Sequence, residues 1–187
     1  MRIVGGRLGG RRLKSPPGNV TRPTSDRVRE ALASALEARD AIDGRRVLDL
    51  FAGTGALGLE MLSRGATHVV FVENDARVSR ALEDSARELG VSAEVEVLRA
   101  DAYKPAAQAN ILSRGPYGLV LADPPYRDVP RAALALAALV RGGLLADDAV
   151  LLLEHPSKGT LELPPPLEVV GNYRYGDTAV TLLVRGG

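Results

Sequence analysis

The feature that most constrains the fold is an alternation of strand-like and helix-like segments that begins after Gly44. Short apolar runs predict five strands, and the segments between them have helical spacing or composition. The predicted strands are 47–51, 69–72, 94–98, 119–122 and 149–154, and the helices between them are 56–63, 76–89, 105–114 and 130–140. Such alternation predicts a mostly parallel sheet with helices on both faces.

The C-terminal end of the chain has a different pattern. Two β-like runs, 167–175 and 179–184, are joined at Gly176-Asp177, which is typical of an antiparallel hairpin. This hairpin raises the predicted sheet to seven strands. The predicted fold class is therefore α/β, of the methyltransferase variety of the Rossmann-like fold.

The first part of the chain is basic. Residues 1–30 carry eight Arg or Lys against Asp26 and Glu30, a net charge of +6 where the whole chain has +1. Gly9-Gly10 predicts a turn, so we interpret residues 1–24 as a basic β-hairpin extension and residues 25–187 as the methyltransferase domain. Ser25 or Thr24 is expected to cap a helix that starts near Asp26 and ends before Gly44. Clustered positive charge indicates a polyanionic partner, although a solvated basic tail is the alternative. The candidate phosphate contacts are Arg7, Arg11, Arg12, Lys14 and Arg22.

The composition excludes several kinds of chemistry. The sequence has no cysteine, so disulfides and a thiol nucleophile are excluded, and with them C5 methylation of pyrimidines through a covalent cysteine adduct. With two histidines and no acidic cluster, we expect no metal site. No signal peptide or membrane-length apolar run is evident, so we expect a cytoplasmic protein, and we expect a monomer.

A glycine-rich turn follows the first predicted strand. Gly53-x-Gly55-x-x-Gly58 opens a helix, and Glu73 lies at the end of the next strand, where it can accept hydrogen bonds from two ribose hydroxyls. This pattern predicts a cofactor that contains adenosine, which leaves NAD and S-adenosylmethionine as candidates. Asp49 precedes the turn and would repel a pyrophosphate, whereas it suits the cationic amino-acid part of S-adenosylmethionine. Asp101 and the adjacent Ala102 follow the third strand, where Asp101 can accept from the adenine amino group. We therefore predict S-adenosylmethionine as the cofactor.

The tetrapeptide Asp123-Pro124-Pro125-Tyr126 follows the fourth predicted strand. Two prolines stiffen the backbone and present carbonyl oxygens, and a carboxylate beside a rigid carbonyl forms an acceptor pair suited to an amino group. Tyr126 offers a flat face for a base, which is worth about 1–3 kcal/mol per base. We predict that Asp123, Pro124 and Tyr126 hold an exocyclic amine in line with a methyl donor. Asp123 as acceptor of the released proton is a weaker hypothesis, and an ordinary proline-rich turn is the alternative.

The sequence resembles the bacterial small-subunit ribosomal RNA (guanine-N2)-methyltransferases of the RsmD type along nearly its whole length. The matching segments include 21–32, 47–60, the tetrapeptide and 175–178. The resemblance implies methylation of N2 of one guanine of 16S RNA, position 966 in the usual RNA numbering, with the small subunit or an assembly intermediate as the substrate. It also implies that Asp49, Gly53 and Gly55 line the methionine part of S-adenosylmethionine, Glu73 the ribose and Asp101 the adenine. Asp123 and Tyr126 would hold the target base, and Arg22 and Thr24 would border the pocket.

Three other functions stay open at this point. A DNA methyltransferase acting on adenine N6 or cytosine N4 could use the same tetrapeptide, although no target-recognition domain is evident. A small NAD-dependent oxidoreductase could use the same glycine turn. A basic RNA-binding assembly factor could retain the fold without catalysis.

Overall fold

A computed structural model describes residues 1–14 and 25–187 of the chain. In these residues seven strands form one sheet in the order β3-β2-β1-β4-β5-β7-β6. Strands β1 to β5 are parallel, and β7 runs antiparallel to both β5 and β6. The strands are β1 Arg46–Asp49, β2 His68–Glu73, β3 Val95–Arg99, β4 Tyr117–Ala122, β5 Leu145–Pro156, β6 Leu167–Tyr175 and β7 Thr178–Arg185. The predicted Rossmann-like sheet with its C-terminal hairpin is confirmed.

Five α-helices accompany the sheet in the described part of the chain: α1 Asp26–Glu37, α2 Ala56–Ser63, α3 Ala76–Leu89, α4 Pro105–Leu112 and α5 Val129–Arg141. Local capping explains several of their ends. The Ser25 side chain accepts a hydrogen bond from the Val28 N–H and begins α1, and Asp75 does the same for α3. Helix α3 ends at Gly90, whose φ of 75° is in the left-handed region.

The strand boundaries differ from the predicted ones where pairing decides them. The first strand ends at Asp49 instead of residue 51, because Leu50 and Phe51 already belong to the turn that leads into α2. Strand β5 is longer than predicted, since Tyr117 pairs with Leu145 at one end and Thr178 pairs with Pro156 at the other. Helix α1 ends at Glu37, earlier than the limit at Gly44.

The two faces of the sheet have separate hydrophobic cores. Neighbouring residues of a strand point to opposite faces, so Val47 packs with α1, α2 and α3, whereas Leu48 packs with α5 and part of α4. In β4, Leu121 belongs to the first core and Val120 to the second.

The first fourteen residues pack into the first core. The predicted hairpin is present as one isolated antiparallel pair, Arg2 with Arg12, around a short 3-10 turn at Gly6–Leu8, and no strand forms among residues 1–14. Three apolar side chains of this segment are buried: Ile3, Leu8 and Leu13. The predicted boundary between the two units lies between residues 24 and 25, and residue 24 is outside the described ranges.

The main chain of this segment is held by α2. The buried carboxylate of Glu60 accepts the N–H groups of Val4 at 2.7 Å and Gly5 at 2.8 Å. The Ser63 hydroxyl accepts the Leu8 N–H at 2.9 Å. Because an unpaired buried N–H costs free energy, these bonds fix the path of residues 4–8 across α2.

The described ranges, 1–14 and 25–187, contain neither a membrane-spanning helix nor a candidate metal site. No helix there is long and apolar enough to cross a membrane. No group of three or more His, Cys, Asp or Glu is placed there to hold a metal ion.

Candidate active site

A cavity of about 620 Å³ opens at the carboxyl ends of the parallel strands, where open α/β sheets bind their ligands. Its volume is in the range of small-molecule sites. Most of the predicted site residues that the structure describes line this cavity: Asp49, Gly53, Glu73, Asp101, Ala102, Asp123, Pro124 and Tyr126. Arg22 and Thr24 lie outside the described residues.

Gly55, which was predicted to contact the cofactor, is not among the residues that line the cavity, although its neighbours Thr54 and Ala56 are. It is the N-cap of α2 with a φ of 76°, and a Cβ at this position would overlap the side chain of Leu82. Its N–H donates to the Ala52 carbonyl at 2.8 Å. Gly55 therefore closes the turn and lets α3 approach it.

Asp49 is buried at the end of β1, with 2% of its surface exposed. Its Oδ2 accepts the Gly58 N–H of α2 at 3.1 Å. The pKa of Asp49 is raised from 3.8 to about 7, mainly by burial; the hydrogen bond from Gly58 acts against this rise, and the charges of Asp123 and Glu73 add to it. A positive charge in the cavity would favour the ionised form of Asp49.

Glu73 joins the glycine turn to the second strand. Its Oε2 accepts the Gly53 N–H at 2.9 Å and its Oε1 accepts the Asp75 N–H at 2.7 Å. A carboxylate has about four acceptor positions, so each oxygen keeps capacity for a further hydrogen bond. Asp101 is held in a similar way, because its Oδ1 accepts the Tyr103 N–H at 3.0 Å.

The tetrapeptide leaves β4 and leads into α5 through a 3-10 turn at Tyr126–Asp128. Pro124 is buried, and the Pro125 carbonyl accepts the Asp128 N–H at 2.7 Å. The Tyr126 hydroxyl is 2.7 Å from the Thr178 hydroxyl at the start of β7. The ring that was predicted to stack on a base is therefore tied to the C-terminal hairpin.

Sequence reasoning missed several residues of the cavity wall. Phe51 and Tyr103 pack with ring centroids 5.5 Å apart, and the Arg131 guanidinium covers the Tyr103 ring. Burial raises the pKa of Tyr103 to about 12. Arg29 of α1 and Glu154 of β5 also line the cavity, although only 1% and 5% of them are exposed. For Arg29 and Glu154 the sequence did contain a signal, because each is a charged residue next to apolar residues of its helix or strand.

The cavity is strongly acidic. Six carboxylates line it: Asp49, Glu73, Asp101, Asp123, Asp128 and Glu154. Among the described residues, Arg29 is the one Lys or Arg of the lining. Because low-dielectric walls strengthen such a field, the cavity favours a cationic ligand over a polyanionic one.

The predicted phosphate contacts of the N-terminal segment lie elsewhere. Arg7 forms an ion pair with Glu94, and Lys14 pairs with Glu88 at 2.6 Å. The Arg11 guanidinium donates to the Glu88 carbonyl at 2.9 Å. These three cations and the exposed Arg12 are outside the cavity, on a surface shared with α3 and the loop before β3.

Comparison with a solved structure agrees with the fold. The structure of the Escherichia coli protein yhhF superposes with a TM-score of 0.82 and 33% identity, covering 100% of this chain and 98% of that one. The sheet order, the glycine turn and the acidic cavity at the strand ends thus define a Rossmann-like methyltransferase.

Sequence comparison identifies the family. A family model described as conserved hypothetical protein 95 matches residues 1–184. The Bacillus subtilis protein YlbH is 35% identical over 193 residues, covering the whole of both chains. Ribosomal RNA small subunit methyltransferase D of Escherichia coli is 36% identical over 167 residues, which are 88% of this chain and 79% of the relative. The chain belongs to this family, the RsmD family of methyltransferases.

Proposed function

We propose that this chain transfers a methyl group from S-adenosylmethionine to the exocyclic N2 of a guanine in 16S ribosomal RNA. The observation that carries the proposal is the tetrapeptide at the end of β4, which lies on the wall of an acidic cavity beside the glycine turn. The relatives named for small-subunit ribosomal RNA support the substrate. Position 966 and a small subunit or assembly intermediate as the true substrate follow from the family resemblance.

The residues present fit S-adenosylmethionine. When bound, this cofactor supplies an electrophilic methyl group on a sulfonium, next to a cationic amino group. Asp49 would face these charges, and because burial raises its pKa, a bound cation would stabilise its ionised form. Gly53 would lie along the methionine part, Glu73 would accept from the ribose, and Asp101 with Ala102 would hold the adenine. The pyrophosphate of NAD would instead meet the six carboxylates, which disfavours the oxidoreductase.

The tetrapeptide would hold the target amine. The Asp123 carboxylate and the Pro124 carbonyl would accept the two hydrogens of N2, so that its lone pair points to the methyl group. Tyr126 would stack on the base, with the bond to Thr178 fixing its ring. As the N–C bond forms and the S–C bond breaks, N2 becomes cationic and releases one proton, which Asp123 or water can accept.

The N-terminal segment is the proposed contact for RNA phosphates. Arg12 is exposed, whereas Arg7, Arg11 and Lys14 would exchange their partners for phosphates. Exposed ion pairs contribute only about 0–1 kcal/mol, so this exchange is favourable where several phosphates are near. Arg22 is proposed as a further phosphate contact. We also propose that the protein is a monomer and acts in the cytoplasm.

Methyl transfer to three substrates tests the function: small subunits, naked 16S RNA and duplex DNA. We expect labelled N2-methylguanine in ribosomal RNA, and labelling confined to DNA would contradict the proposal. Asp123→Ala should abolish transfer and leave S-adenosylmethionine binding within about twofold of the wild type by calorimetry. Asp147→Ala is the matched control, because Asp147 is exposed at the far end of β5. Retained methylation by Asp123→Ala would contradict the catalytic role of Asp123, whereas absence of transfer by the wild type to all three substrates would favour a non-catalytic assembly factor.

A further inference from the structure

Glu154 is a buried acidic residue that directly follows a buried apolar run. The five residues before it in β5, 149–153, are all buried and apolar, and Glu154 itself is 5% exposed. Glu154 also lines the cavity, so its carboxylate can accept hydrogen bonds from a bound molecule.

The sheet register places Glu154 beside Asp123. In the parallel pair of β4 and β5, Leu121 is opposite Leu152 and Ala122 is opposite Leu153, and the next residues along the chain are Asp123, directly after β4, and Glu154 of β5. Leu121 and Leu152 both belong to the core that contains α1, α2 and α3. Side chains alternate along a strand, so Glu154 lies on that same face, and the same alternation continued one residue past β4 places Asp123 there. Both residues line the cavity.

Two carboxylates side by side match the Watson–Crick edge of guanine. This edge presents adjacent donors, the amino group at position 2 and the protonated ring nitrogen N1. Adenine and cytosine present an unprotonated ring nitrogen beside their amino groups, and its lone pair would face the second carboxylate. Enzymes that act on an extruded base commonly read it by hydrogen bonds to this edge.

We propose that Glu154 accepts the N1–H of the target guanine and makes the site specific for guanine, while Asp123 and Pro124 hold N2. This inference rests on the proposed function and adds the residue that selects the base. It predicts rejection of 2-aminopurine, which carries the same amino group at position 2 but has no hydrogen on N1. It also predicts that inosine, which has the N1–H and lacks the amino group, binds without being methylated.

The experiment compares two RNAs, in the substrate form that the wild-type enzyme accepts, with guanine or 2-aminopurine at the target position. We expect the wild type to prefer guanine by about 100-fold in kcat/KM, because the wrong base leaves a buried acceptor unpaired. Glu154→Gln replaces one carboxylate oxygen by an amide N–H, which can donate to the unprotonated N1. We therefore expect guanine methylation to fall by about 100-fold and methylation of 2-aminopurine to rise, so that the preference is lost or inverted.

Two controls separate a change of specificity from damage to the fold. Affinity for S-adenosylmethionine should stay within about twofold of the wild type, and Asp147→Asn should keep the wild-type preference. If Glu154→Gln does not fold, Glu154→Asp serves in its place, because it keeps the charge and withdraws the carboxylate by one methylene. Glu154→Asp should lower the preference for guanine at least tenfold.

The outcomes distinguish the two proposals. If the wild type forms no N2-methylguanine, the proposed function is wrong. If the wild type forms N2-methylguanine and Glu154→Gln lowers kcat/KM for both RNAs by the same factor, the proposed function stands and the role of Glu154 is wrong. A preference that changes with Glu154 supports both.

Discussion

Replacing Asp49 by Asn should stabilise the free protein and impair its function. The carboxyl of Asp49 has a pKa of about 7 in the folded chain, mainly because of burial. Asn has nearly the same shape, its oxygen can accept the Gly58 N–H, and it carries no charge. The substitution therefore removes the cost of a buried negative charge and leaves the packing in place.

The magnitude follows from the shift of the pKa. A rise from 3.8 to about 7 is about three pH units, equivalent to about 4 kcal/mol. Between these values the folded chain binds a proton that the unfolded chain has released, so the contribution of Asp49 to stability falls as the pH rises. Below pH 3.8 both states are protonated and the cost vanishes, and above about pH 7 it is complete.

Urea unfolding of the free protein at pH 4.5 and pH 8 measures this cost. We expect Asp49→Asn to raise the free energy of unfolding by up to about 4 kcal/mol at pH 8 and by 1 kcal/mol or less, roughly, at pH 4.5. Calorimetry at pH 8 should show at least about tenfold weaker binding of S-adenosylmethionine, since a shielded opposite charge is lost. Asp147→Asn is the control. An equal gain at both pH values would refute the assignment of the cost to ionisation.

Further predictions concern two glycines and one hydroxyl pair. Gly55→Ala and Gly90→Ala both place a side chain at a φ near 75°, but only Gly55 is crowded, so it should be the more destabilising substitution by roughly 1–3 kcal/mol in thermal unfolding. If both variants lose the same free energy of unfolding, backbone strain alone explains the loss at Gly55. Tyr126→Phe and Thr178→Val should each lower kcat several-fold, and the double variant should be no slower than either alone, because both remove the same hydrogen bond. If the factors by which the single variants lower kcat multiply in the double variant, the two hydroxyls act separately.

Local patterns predicted the parts of the fold that depend on neighbouring residues. The glycine turn follows a strand and precedes a helix, and the signal for that order lies within about a dozen residues. Glu73 and Asp101 were found for the same reason, since Glu73 is the last residue of β2 and Asp101 lies two residues after β3. The edge of a parallel sheet then brings such strand ends together without further information.

Contacts between distant segments could not be predicted in this way. Glu60 holds Val4, which is 56 residues away, and nothing in a helical pattern indicates that its carboxylate is buried. The position of Glu154 beside Asp123 depends on the register of β4 and β5, which the sequence pattern leaves open. Gly55 was assigned to the ligand because the motif does not distinguish a glycine that faces a cofactor from one that faces a helix.

The side chains of Glu60 and Ser63 hold residues 4–8 by hydrogen bonds to main-chain atoms and not to side chains of that segment. Attachment of the basic segment therefore does not depend on which charged side chains it carries at its exposed positions. Arg7 or Arg12 can be exchanged while the path of the segment is kept. The exposed charges that we propose to contact RNA can therefore be redesigned at little expense to the stability of the domain.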